Sequence, residues 1–236
     1  MSNKKLFLTK IKRELFFVRD NFDERFLSLT LARIKKLELL VSQEDKWLDV
    51  GGFLGGFVVV TAKSVNHIYT FEPDKSNYEV LLQNINLHNI ENVDAYLLAV
   101  VGSDAKQTKF YPNRFTDKSL HSLKSSKHRF NTIVDCININ KIIKDYDIDK
   151  LLIDAAGSEH NLIKSLDRES YFRLKEIGVV FYTDFYNSRS REHLEYKEIV
   201  SILKNYYKYV KHNNNPFGEL YLLIHAFENL LTKGKG

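Results

Sequence analysis

From Lys46 onward the chain alternates short apolar runs with helical stretches, and this rhythm constrains its fold more than any other feature. Residues 47–50 read as a strand ending in glycines, and 55–63 continue as a helix. Residues 67–71 form the next strand, followed by a helix over 75–88 whose Val80, Leu81, Ile85 and Leu87 are spaced for burial. Further strands are expected over 93–100, 132–137, 151–154 and 177–183, with helices over 141–146, from Ser158 onward and over 192–204. Such alternation predicts right-handed β–α–β units and a parallel sheet. At the end, 206–211 and 219–225 read as strands joined only by a turn around Asn213–Gly218, so they must run antiparallel. The expected fold is α/β: a doubly wound, mostly parallel seven-stranded sheet closed by one reversed hairpin strand.

Two stretches depart from the rhythm. Residues 102–131 are polar, carry Pro112 and cluster Ser and Lys at 119–127, which predicts an insertion with a β-ribbon over 107–111 and a mobile loop over the site. Residues 4–41 read as helical, with one stripe of Leu6, Ile11, Leu15 and Val18 and another of Phe26, Leu29, Leu31, Ile34, Leu37 and Leu40. Lys4, Lys5, Lys10, Lys12 and Arg13 flank the first stripe, as in a basic amphipathic helix that docks as a lid or touches a membrane surface. The expected organisation is a helical extension over 1–41 ahead of one domain over 42–236.

Composition narrows the class. With 44% hydrophobic residues, including 16 Phe and 13 Tyr, the 236-residue chain can bury a sizeable core. The net charge of +5, from 35 basic and 30 acidic residues, is spread along the chain and permits an anionic partner without implying one. The single cysteine, Cys136, lies in an apolar run and cannot form an internal disulfide. Lys10, Lys12, Arg13 and Glu14 interrupt the N-terminal apolar residues, so neither a signal peptide nor a membrane span is expected, and the cytoplasm is the expected compartment.

The chemistry concentrates in Trp47-Leu48-Asp49-Val50-Gly51-Gly52-Phe53-Leu54-Gly55-Gly56. An apolar strand ends in an acid and glycines follow, as a backbone must when it approaches a nucleoside closely. Glu72 closes the next strand, where a carboxylate can accept from both ribose hydroxyls. A nicotinamide dinucleotide needs glycine at the third position, and Phe53 stands there. S-adenosylmethionine has no pyrophosphate to accommodate, and Asp49 suits its amino-acid end. The competing reading is a turn whose glycines serve packing alone.

At these residues the chain resembles the FkbM-type methyltransferases over about residues 47–166. The resemblance rests on Asp49-Val50-Gly51-Gly52-Phe53 with Gly55, on Glu72-Pro73-Asp74, and on Leu81-Leu82-Gln83-Asn84-Ile85. It continues through Asn92-Val93, Ala99-Val100-Val101-Gly102 and Ile153-Asp154-Ala155-Ala156-Gly157-Ser158-Glu159. It implies a class I Rossmann-like fold and methyl transfer from S-adenosylmethionine, commonly to a sugar or small-molecule hydroxyl. By resemblance, Asp49, Gly51, Gly52, Phe53, Gly55, Glu72, Pro73 and Ala99 form the cofactor site, with Glu72 on the ribose, and Asp154 faces the methyl group. The family's usual Asn, Lys and Glu are replaced by Phe53, Leu152 and Ala156. Loss of Lys and Glu together leaves no orphaned charge.

Hydroxyl methylation needs a proton acceptor within hydrogen-bond reach. The candidates are Asp154, Glu159 and Asp184, with His160 behind them; no metal-ligand set is assigned. Tyr182, Phe185 and Tyr186 suit sugar stacking or core packing equally. His121, His128, His193 and His212 lack ligand spacing. The implied partner is a small-molecule or glycan acceptor. Two alternatives stand beside it: an RNA methyltransferase using residues 118–129 as a phosphate-contacting arm, and a cofactor-binding relative of low activity acting as a partner protein.

Overall fold

The structure, a computed structural model, describes residues 6–111, 131–182, 191–212 and 221–229. It opens on a hairpin of β1 (Phe7–Ile11) and β2 (Glu14–Val18), followed by helix α1 (Asn21–Leu37). Strand β3 (Lys46–Val50), helix α2 (Gly56–Thr61), β4 (His67–Phe71), α3 (Lys75–Leu87) and β5 (Val93–Tyr96) come next. Then follow β6 (Ala99–Val101), β7 (Gln107–Phe110), β8 (Thr132–Asn138), α4 (Ile139–Asp145) and β9 (Lys150–Ile153). The chain ends with α5 (Glu159–Ser165), α6 (Arg168–Arg173), β10 (Glu176–Tyr182), α7 (Arg191–Lys204), β11 (Tyr207–His212) and β12 (Tyr221–Asn229).

The main sheet has seven strands in the order β11-β12-β10-β9-β3-β4-β5. Its β10, β9, β3, β4 and β5 pair in parallel, and β12 runs antiparallel to both β10 and β11. This is the doubly wound sheet with one reversed strand that the alternation predicts. Side-chain alternation divides each central strand between two cores. Leu48, Val50, Leu151, Ile153, Val179 and Phe181 pack toward α4, α5 and α7. Trp47, Ile68, Leu152 and Val180 pack toward α2, α3 and the end of α1. Asp49 follows Trp47 by two, so it stands on the second face, at the strand's C-terminal end.

The N-terminal expectation fails in part. The first stripe is a β-hairpin, reversing at Lys12-Arg13 with Lys12 in the left-handed region at φ 57°. Ile11, Leu15 and Val18 satisfy a helical spacing, but only Ile11 and Val18 of the three are buried, together with Phe16. Tertiary contact decides the matter. The Asn84 side chain on α3 accepts from the Phe17 amide at 2.6 Å and donates to its carbonyl at 3.2 Å. A helical Phe17 would have committed those groups to its own ladder. The second stripe is α1, capped by the Asp20 side chain accepting from the Phe22 and Asp23 amides.

The strand expected over 93–100 is two strands. Strand β5 joins the main sheet, whereas β6 pairs with β8 in a separate three-stranded sheet of order β6-β8-β7. No Gly or Pro marks the change of sheet. Strand β8, at the site of the expected strand over 132–137, belongs to this side sheet. Its pairing with β7 is the expected ribbon; the loop beyond it, 112–130, lies outside the described residues. Among the described residues no helix is long and apolar enough to cross a membrane.

Candidate active site

The C-terminal ends of β3, β4 and β9 converge on the turn after Val50. The Gly51 and Gly52 amides both donate to the Phe71 carbonyl, at 3.0 and 3.1 Å, and the Asp154 amide donates to the Val50 carbonyl at 2.9 Å. Gly51 takes φ +95°, and a Cβ there would collide with the Asp154 carbonyl oxygen. A Cβ on Gly52 would strike the Thr70 hydroxyl, and one on Gly55 would lie 2.9 Å from Leu81 Cδ1. Gly51 thus lets β3 close to backbone contact with the end of β9, while Gly52 and Gly55 make room for the side chains of Thr70 and Leu81. Asn84 completes the turn by donating to the Leu54 carbonyl at 2.8 Å.

Three carboxylates stand here. Asp49 is buried, and the Thr70 hydroxyl donates to its Oδ2 at 2.8 Å. Burial pushes the Asp49 pKa from 3.8 up to about 7; the nearby Asp154 and Glu72 charges push the same way, while the Thr70 hydrogen bond opposes them. Glu72 is clamped by its own loop: Oε2 accepts from the Phe53 amide at 2.9 Å, and Oε1 from the Asp74 amide at 2.9 Å and the Asn77 side chain at 3.3 Å. Phe53 takes φ 47°, which presents its amide to Glu72. Asp154, just beyond β9, receives the Arg33 guanidinium at 3.2 Å.

Arg33 escaped sequence reasoning, although a cation inside the α1 stripe signals a buried partner. It is 1% exposed, donates to the Thr30 hydroxyl at 2.7 Å and lies 5.1 Å from the centre of the Phe26 ring. Phe26 in turn meets Phe53 edge-on, with centroids 5.1 Å apart. Arg19 was missed as well. It bonds Asp23 on α1 and Asn77 on α3, and Asn77 holds Glu72.

The remaining candidates divide. Glu159 is buried in the first turn of α5, and Pro73 is half-buried beside Glu72. His160 turns to α7, with Nε2 2.8 Å from Glu198 Oε2, a helix-to-helix tie. Ala99 is buried in β6, paired with Cys136 of β8. Leu152 lies fully within the apolar core, where a lysine would need a partner charge. Asp184, Phe185, Tyr186, His121 and His128 lie outside the described residues, as do the side chains of Tyr182 and His193.

A sequence profile of the Methyltransferase FkbM domain matches residues 49–210, from Asp49 in β3 into β11. The chain belongs to the FkbM methyltransferase family. Its fold is similar to that of a Methyltransferase FkbM from Methylobacillus flagellatus KT, at TM-score 0.52 and 19% identity, over 80% of this chain and 45% of that one. This FkbM-family chain therefore spans less than half of that relative. It is also similar to M. jannaschii TYW2 in complex with AdoMet (TM-score 0.51, 12% identity, 95% of this chain and 86% of that one). An rRNA methylase from Streptococcus thermophilus superposes at TM-score 0.50 and 11% identity, over 86% of this chain and 96% of that one. No curated protein matches the sequence significantly.

The donor set of this FkbM-family turn fits S-adenosylmethionine. The cofactor is cationic at its sulfonium and ammonium, and Asp49 is an acid whose ionisation burial and like charges oppose. A cation beside it favours the charged form. Because the folded pKa lies above the unfolded value of 3.8, the contribution of Asp49 to stability is full below that value and is lost as pH rises toward about 7. Wild-type stability without cofactor should therefore decline relative to Asp49→Asn between pH 5 and pH 8, read by urea denaturation. Over the same range adenosylmethionine affinity should rise in the wild type and stay flat in Asp49→Asn. Parallel pH profiles in both readouts would remove Asp49 from this role.

Proposed function

We propose that the chain transfers a methyl group from S-adenosylmethionine to a hydroxyl of a sugar or other small molecule, with Asp154 accepting the hydroxyl proton. The observation that carries this reading is the position of Asp154. Its backbone is bonded to β3 and lies flush against the Gly51 turn, and its carboxylate ends the second face of the sheet beside Asp49. The bound cofactor supplies a methyl group on a sulfonium whose positive charge disappears on transfer. The protein's part is alignment of the acceptor and removal of its proton. Asp49 takes the amino-acid end and Glu72 the ribose, their orientations fixed by Thr70 and by the Phe53, Asp74 and Asn77 donors. Glu159 and Asp184 stand behind Asp154 as alternative proton acceptors.

The test is transfer of labelled methyl groups to a panel of glycans and small alcohols, with RNA run in parallel because the fold is shared with an rRNA methylase. Transfer to hydroxyl acceptors supports the reading. Transfer to RNA alone, with binding that weakens steeply between about 50 and 200 mM salt, overturns the acceptor class. Adenosylhomocysteine binding in Glu72→Ala checks the ribose assignment, with an expected loss of ~1–3 kcal/mol for hydrogen bonds to a charged group. Unchanged affinity would leave Glu72 with its loop clamp alone.

A further inference from the structure

We infer that Arg33 is a positioning residue for Asp154, so that α1, which precedes the matched methyltransferase region, completes the catalytic site. The inference rests on the reading of Asp154 as proton acceptor. The two residues are 121 apart in sequence, yet the Arg33 guanidinium reaches the Asp154 carboxylate at 3.2 Å, with side chains 2% and 9% exposed. Burying a guanidinium is costly unless it is paired and bonded. Thr30 takes one of its hydrogen bonds at 2.7 Å, and Phe26 stands over its plane. Both hydrogen bonds leave Nη2, which they hold between Thr30 and the end of β9. On that face of β9, Leu152, two residues before Asp154, is apolar and buried, and Lys150 stands at the far end of the strand.

The consequence is chemical. A guanidinium hydrogen bond restricts the direction the carboxylate faces, and so aims the oxygen that is to accept the proton. Arg33 acts through Asp154 and is not assigned to the acceptor itself. The Phe26–Phe53 contact and the Arg19–Asn77–Glu72 relay place a second carboxylate under the same N-terminal segment.

Arg33→Met is the direct probe, with Arg33→Gln replacing it if the methionine variant does not fold, and Arg33→Lys as the conservative variant. Expected in Arg33→Met is a fall in kcat of about 10–100-fold, as for a misplaced catalytic group, with the KM for adenosylmethionine unchanged. Adenosylhomocysteine affinity, read by calorimetry, should stay within about threefold of wild type, since the expected effect falls on catalysis and not on uniform binding. Arg33→Lys, which keeps a charged donor at the position, should restore part of the lost kcat. A kcat within about threefold of wild type in a folded Arg33→Met variant overturns the inference. So does a raised KM for adenosylmethionine at unchanged kcat, which would make Arg33 a cofactor contact. A wild type inactive on every acceptor instead takes down the functional reading and this inference with it.

Discussion

Replacing Asp154 with asparagine lowers kcat by about 10²–10⁴-fold, the range for removing a positioned general base, while adenosylhomocysteine binds within about threefold of its wild-type affinity. The substitution keeps the shape of the side chain and an acceptor oxygen for the Arg33 guanidinium at 3.2 Å. What it removes is the capacity to take a proton. The Asp154 backbone, bonded to Val50 and packed on Gly51, is unaffected by the exchange, so the cofactor turn keeps its form. The variant does leave Arg33 buried without its counter-charge, at a cost in stability of roughly 1–3 kcal/mol. Turnover is therefore measured well below the melting temperature, with that temperature recorded for both proteins. Turnover within threefold of wild type would strike Asp154 from the mechanism and bring Glu159, buried at the head of α5, forward. A loss of cofactor affinity as large as the loss of turnover would make Asp154 a cofactor ligand.

The parts of this fold that sequence makes legible are those whose signals are local. Strands β3, β4, β9 and β10 are apolar runs bounded by turn residues, and their alternation with helices dictates a parallel sheet. The hairpin was not legible, because Ile11, Leu15 and Val18 fit a helix as well as a strand and Asn84, 67 residues beyond Phe17, decides between them. The break between β5 and β6 was hidden for a similar reason, since one apolar run serves two sheets. At the site, the acids and glycines announce themselves, while the contacts that Gly51, Gly52 and Gly55 make with Asp154, Thr70 and Leu81 needed the tertiary structure. Arg33 required the tertiary structure, since no local pattern links it to a residue on a strand so far along the chain.

Replacing Lys150 with methionine costs about 3–5 kcal/mol of stability, because it breaks a buried ion cluster by removing one partner. Lys150 opens β9, at the opposite end of the strand from Asp154. Its ammonium lies 2.9 Å from Asp45 Oδ2 and 2.9 Å from Glu176 Oε2, donates to the Leu40 carbonyl, and sits 5.5 Å from the Trp47 ring centre. Glu176 also accepts from the Leu40 amide at 2.8 Å and meets His225 at 2.6 Å. The cluster thus ties the segment leaving α1 to the starts of β9 and β10. All four ionisable side chains are buried, so the methionine variant strands two carboxylates without their shared cation. Against a typical total of about 5–15 kcal/mol the loss is large, and at about 2–4 °C per kcal/mol it lowers Tm by roughly 10 °C. Adding Glu176→Gln to Lys150→Met should recover part of the loss, because the neutral amide keeps the Leu40 hydrogen bond and removes one stranded charge. Cofactor affinity of the folded fraction should not change, since four residues of strand, about 13 Å, separate the two ends. Urea denaturation of the single and double variants measures the loss and its recovery. A single-variant loss below about 1 kcal/mol would place the cluster among solvent-screened pairs rather than buried ones.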